Sequence, residues 1–256
     1  MRPASIALLS TLALAGHLAR ADDPPAPVPA PAMPVEATFD SGGKPITVEV
    51  FEPKGDGKHP AVLIFHGAGG MRVGGPAFRE AGRRLAEGGY LALVVHYFDR
   101  TNTDSADGPA MAKHYRTWMD TLADSIAYAK GRPDVDPDRV GLIGFSLGAY
   151  LALSESSRND GVAAVAEYFG GLPRELAAGL TKMPPTLILH GDADSVVPVS
   201  EAKSLEKLLT EKMLPFEIQI YEGAGHGFTG ATGQDAFRRV QSFLDKHVRD
   251  KKAAGG

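Results

Sequence analysis

The sequence predicts a doubly wound α/β domain, in which short buried strands alternate with amphipathic helices. Three observations carry that expectation. Five short runs are largely apolar: 61–65 (AVLIF), 90–95 (YLALVV), 140–145 (VGLIGF), 162–165 (VAAV) and 186–189 (TLIL). Such runs suit strands of a parallel sheet covered on both faces. Between them lie stretches whose apolar residues recur at helical spacing, the alternation expected of an α/β architecture. The chain has 256 residues, 43 % of them hydrophobic, enough for one large domain with a substantial core.

Residues 1–21 read as a secretory signal peptide. Arg2 is the positive start, residues 4–16 are apolar, and Ala19-Arg20-Ala21 is a small-x-small cleavage site. The apolar stretch is short for a membrane span, and no other segment approaches the required ~20 apolar residues. The expectation is therefore a periplasmic or secreted protein. Residues 22–35 are rich in proline and read as an extended polyproline tether, a spacer outside the core. The folded domain is expected over residues 36–250, and residues 251–256 as a frayed tail.

Within the domain, residues 46–51 alternate apolar and polar, the pattern of a half-exposed strand. Phe78, Ala81 and Leu85 share a helical face that Gly88-Gly89 terminates. Met111, Tyr115, Trp118, Leu122, Ile126 and Ala129 form a longer stripe, and residues 149–157 a short helical stretch. Ser200 is placed to cap a helix carrying Ala202, Leu205, Leu208 and Leu209. Residues 216–221 (FEIQIY) alternate and belong nearer an edge, and Phe237, Val240, Phe243, Leu244 and Val248 build a last helix.

The net charge of −4 gives no reason to expect nucleic acid or an anionic membrane as partner. With no cysteine, the chain has no disulfide, no thiolate nucleophile and no cysteine-ligated metal.

The strongest motif is Gly144-Phe145-Ser146-Leu147-Gly148, which follows an apolar strand and precedes a helical stretch. That context makes it a nucleophile elbow, where a sharp turn lifts the serine hydroxyl clear of the sheet. A serine needs a base, and His226 lies between glycines in Gly225-His226-Gly227-Phe228, just after a strand. The base needs a carboxylate, which His190-Gly191-Asp192-Ala193-Asp194 supplies after another strand. Asp194 is favoured because it lies further into the turn, and Asp192 is expected to hold the turn through backbone amides. His190, Asp192 and Asp194 also read as metal ligands, a weaker reading because His190 ends a buried strand. No metal or cofactor is expected. The order Ser146, Asp194, His226 is that of α/β-hydrolases. The oxyanion donors are expected to be the N–H groups of Leu147 and of Ala68, in His66-Gly67-Ala68-Gly69-Gly70.

With these motifs on the page, the chain resembles the dienelactone hydrolase family from about residue 45 to 248. The resemblance implies an eight-stranded, mostly parallel sheet and hydrolysis of a small ester or lactone through an acyl-enzyme. Well-known members carry cysteine where this chain has Ser146, and glutamate where it has Gly67. They also hold an acidic substrate with two arginines. Arg100, in Tyr97-Phe98-Asp99-Arg100, stands in place of the first, whereas Thr229 and Gly230 occupy the region of the second. Arg100 and Tyr97 are the expected substrate contacts, and residues 101–114 the one stretch able to form a small lid. A thioesterase or peptidase on the same triad, and a non-catalytic binding protein keeping the fold, stay open as alternatives. An activated-serine probe separates the last from the others.

Overall fold

The computed structural model describes residues 33–250. The expected signal segment, most of the proline-rich tether and the expected tail lie outside the described residues. Eight strands form one sheet: β1 (Val35–Ser41), β2 (Lys44–Phe51), β3 (His59–Phe65), β4 (Leu91–Val95), β5 (Val135–Phe145), β6 (Ala164–Tyr168), β7 (Thr186–Gly191) and β8 (Phe216–Tyr221). Their spatial order is β1-β2-β4-β3-β5-β6-β7-β8. The β1–β2 and β2–β4 pairings are antiparallel, and all the others are parallel. This is the mostly parallel eight-stranded sheet expected.

The apolar runs are buried on both faces because helices cover both. Ala61, Leu63 and Phe65 of β3 point into one core, which α2 (Gly108–Gly131), α3 (Leu147–Ser156) and α5 (Ser200–Glu211) close. Val62 and Ile64 point into the other, closed by α1 (Gly70–Glu87) and α6 (Gly230–Leu244). Trp118 on α2 and Leu85 on α1 are fully buried, so the expected stripes are the faces that pack.

Several expectations shift. The strand expected at 162–165 runs instead to Tyr168, bringing that residue to the sheet end beside Phe145. The 46–51 alternation is not half-exposed: β2 lies between β1 and β4, and its Glu49 is buried. Ser200 does not cap α5; Val199 holds the cap position in helical conformation, without a side-chain hydrogen bond. β1 and the short helix α4 (Arg174–Ala178) were not foreseen. β8 is an edge strand, as its alternation suggested. No helix among the described residues is long and apolar enough to cross a membrane.

Candidate active site

The parallel strands deliver their following loops to one end of the sheet, where an open α/β sheet places its ligands. β5 is central and ends at Phe145, and Ser146 turns sharply at φ 53° and ψ −117° before α3 begins. The turn is tight enough to require glycine. A Cβ at Gly144 would lie 2.4 Å from Gly148 O, and one at Gly148 2.3 Å from Phe65 O. Ser146 N–H donates to Tyr168 O at 2.9 Å, tying the elbow to β6.

Asp194 and His226 come from the loops after β7 and β8. These loops are fastened together: Asp192 N–H donates to Tyr221 O, Ala193 N–H to Ala224 O at 3.0 Å, and Gly223 N–H to Asp192 Oδ1 at 2.7 Å. Asp192 therefore holds the turn by accepting a backbone amide, from the neighbouring histidine loop. Asp194 Oδ2 lies 2.7 Å from His226 Nδ1, and His226 Nε2 lies 3.0 Å from Ser146 Oγ. The three side chains expected from sequence thus meet in a hydrogen-bonded line. Burial alone would raise the Asp194 pKa. The hydrogen bonds from His226 and from the N–H groups of Val197 and Val196 outweigh it and hold the carboxyl below its ordinary value. Asp194 is thereby kept as an anion beside an imidazole whose Nδ1 it orients.

The loop after β3 lies against the elbow: a Cβ on Gly67 would sit 3.3 Å from Ser146 Cβ. Ala68 accepts from Ala106 N–H at 2.8 Å, while its own N–H finds no acceptor among the described residues. Leu147 opens α3, so its N–H is likewise free of the helix ladder. Two unpaired backbone donors thus flank the serine. His66 shapes this loop from beneath. It is buried, its Nδ1 lies 2.9 Å from Gly67 O, and it stacks on Tyr97 at 4.1 Å. Burial depresses its pKa to about 4, so at neutral pH it is an uncharged support.

A cavity of about 750 Å³ opens over Ser146 and His226. Its walls are aromatic, with Phe78, Phe145, Tyr168, Phe169, Phe228 and Phe237, and Val73 and Val196 stand exposed at its rim.

Arg100 and Tyr97, the expected substrate contacts, do not line it. The Arg100 guanidinium instead packs at the β1–β2 turn, donating to Ser41 Oγ at 2.9 Å and facing Asp124 of α2 at 3.6 Å. Partners on two other elements outcompete the cavity for the long side chain. Tyr97 is fully buried, and its hydroxyl donates to His66 O at 2.8 Å. It supports the Ala68 loop from below the cavity floor residues rather than lining the cavity. Residues 101–114 form no lid over this cavity. Part of them packs beneath the Ala68 loop, where a Cβ on Gly70 would lie 2.2 Å from Asp104 O.

Phe169 and Arg84 were not foreseen. Phe169, at a backbone φ of 43°, sets its ring against His226 at 4.7 Å with the planes tilted by 57°, and Arg84 lies 3.7 Å over the Phe237 ring in the cavity wall. No period or motif marks either one. Among the described residues, no group of three or more histidine, aspartate or glutamate side chains is placed to hold a metal ion.

A sheet of this order, with serine, histidine and aspartate joined at its loop end, defines the α/β-hydrolase class. Residues 46–254 match the dienelactone hydrolase family, and the chain belongs to that family of hydrolases. A Synechocystis sp. protein provisionally named carboxymethylenebutenolidase is 26 % identical over 226 residues, covering 77 % of this chain and 90 % of its own. The carboxymethylenebutenolidase of Rhodococcus opacus is 24 % identical over 196 residues, 68 % of this chain and 77 % of that one. Among solved structures, a Klebsiella pneumoniae protein provisionally named dienelactone hydrolase superposes with a TM-score of 0.71. It is 22 % identical, over 83 % of this chain and 98 % of its own, a likeness of fold.

Proposed function

We propose that this protein is a serine hydrolase that cleaves a small or medium carboxylic ester or lactone through an acyl-enzyme. The observation that carries the reading is the line Asp194 Oδ2–His226–Ser146 Oγ, with separations of 2.7 and 3.0 Å. In the reaction, His226 Nε2 takes the proton of Ser146 as Oγ attacks the carbonyl carbon, and Asp194 stabilises the imidazolium. The N–H groups of Ala68 and Leu147 receive the developing oxyanion. His226 then returns the proton to the departing alkoxide. Water, deprotonated by the same imidazole, splits the acyl-enzyme and frees the acid. The aromatic cavity favours an apolar acyl or alcohol group.

The test combines a fluorophosphonate probe with turnover of p-nitrophenyl esters and simple lactones. Wild type should label at Ser146 and turn over at least one of these substrates. Ser146→Ala should not label and should lose several orders of magnitude in kcat. It should retain a residual ~10³–10⁴-fold acceleration over water from the oxyanion donors. A Ser146→Ala variant within tenfold of wild type would end this reading.

We further propose that the enzyme works outside the cytoplasm. The positive, apolar and small-residue order of residues 1–21 supports this.

A further inference from the structure

Glu167 is the penultimate residue of β6, paired in register with Gly144 of the elbow strand. It has no solvent exposure. One carboxyl oxygen, Oε2, accepts from Gly170 N–H at 2.8 Å, and the other, Oε1, has no hydrogen-bond partner. No cation among the described residues pairs with it; its titratable neighbours are Tyr150 of α3 and, beyond it, Glu201 of α5. A carboxylate sealed in this way, with a single neutral donor, would be strongly destabilised, so the proton stays on.

The turn that Glu167 ties down, residues 168–171, is the wall of the site. Tyr168 O receives the Ser146 N–H, Phe169 is held at φ 43° with its ring tilted against His226, and a Cβ at Gly170 would sit 3.1 Å from Glu167 Oε2 and 3.3 Å from Ser146 O. A bulky residue at positive φ is strained, and such strain persists only where the surroundings enforce it. The Gly170–Glu167 hydrogen bond closes this turn.

We infer that Glu167, in its uncharged form, is a positioning residue that holds turn 168–171 against Ser146 and His226. The inference rests on the serine hydrolase reading and adds a group that never touches substrate. Burial raises the Glu167 pKa from 4.5 to about 8, so ionisation falls just above neutrality. Once charged, the carboxyl regains solvation only by opening the turn, which releases Phe169 from His226. Tyr150 titrates higher still, since burial raises its pKa, so it cannot supply the same break.

The experiment measures kcat on a neutral ester from pH 6 to 10 for wild type, Glu167→Gln and Glu167→Ala, with thermal unfolding in parallel. Wild-type kcat should fall above about pH 8. Glu167→Gln, which keeps an uncharged acceptor for Gly170, should stay within about threefold of wild type at pH 7 and lose that fall. Glu167→Ala should lose about tenfold or more at every pH, the scale of a displaced base. Stability gives a second readout. The folded state binds the extra proton between pH 4.5 and about 8, so wild-type stability declines as pH rises through that window. The Tm advantage of Glu167→Gln should therefore widen from pH 4.5 to 8 and then level off. An unchanged alkaline fall in Glu167→Gln, a pH-independent Tm difference, or wild-type kcat in Glu167→Ala would each overturn the inference. Absence of fluorophosphonate labelling in wild type at pH 7 is a separate failure, that of the serine reading itself.

Discussion

At Asp194 one carboxylate performs two jobs, accepting from the N–H groups of Val196 and Val197 with Oδ1 and meeting His226 Nδ1 with Oδ2. Asp194→Asn would keep the backbone bonds through its amide oxygen and turn its NH₂ toward the imidazole. That favours the wrong tautomer and should lower kcat by up to ~10⁴-fold with little loss of fold. Asp192 serves Gly223 instead, so Asp192→Asn should shift Tm and spare kcat; the reverse pattern would exchange the two assignments. Ser146, Asp194 and His226 were legible because glycines and chain order mark where side chains must stand free after a strand. Arg100 was not. A long flexible side chain goes where its partners are, and Ser41 and Asp124 lie far away in sequence. The cavity's arginine is Arg84, set over Phe237 and without an ion pair among the described residues; its acidic neighbour Glu80 is engaged by Arg83. A substrate carboxylate reaching Arg84 in this partly desolvated wall should gain about ten- to a hundredfold in kcat/KM. Comparing a neutral ester with its carboxylate analogue in wild type and Arg84→Ala tests this. Equal losses on both substrates would leave Arg84 as packing for Phe237.

β2 shows how an element can mislead when read alone. Its alternation suggested a wet face, yet Glu49 is buried, with both oxygens on the Arg79 guanidinium at 2.7 Å and His96 Nε2 at 2.9 Å. The partners stand on α1 and just beyond β4, so nothing within residues 46–51 reveals them. Burial pushes the Glu49 carboxyl up, but the hydrogen bonds from His96 and Arg79 prevail and bring it to about 2. A carboxyl depressed in the fold stabilises above its unfolded pKa. That contribution, roughly 1–3 kcal/mol after allowing for the exposure of Arg79, should vanish as pH falls from 4.5 to 2. Acid unfolding followed by circular dichroism should show Glu49→Gln less stable than wild type at pH 6 and the two converging near pH 2; parallel curves would refute the role. β1, in contrast, had a readable signal. Gly42 and Gly43 join it to β2 with φ of 59° and 76°, the two left-handed positions of a tight hairpin turn. The strand itself is hard to read because Glu36 and Asp40 dilute its apolar pattern. The apolar runs of β3, β4, β5 and β7 were legible because burial on both faces leaves them no polar positions to confuse.

Over the whole molecule, the double covering of the sheet follows from those runs, and the export proposed from residues 1–21 has a direct test. N-terminal sequencing of protein recovered from a secreting bacterial host should begin at Asp22. Intact Met1 on exported, active protein would contradict processing there. The site's elements are spread across the chain: Ser146 follows the central strand, Asp194 the seventh and His226 the last, with Ser146 and His226 80 residues apart in sequence. Synthesis proceeds from the amino terminus, so the serine emerges long before its imidazole exists. An incomplete chain, or one clipped anywhere before His226, carries a plain hydroxyl with no base beside it. On the proposed serine-hydrolase reading the fold therefore acts as its own proofreader, because Ser146 gains its base only once β8 and the histidine loop that follows it have docked.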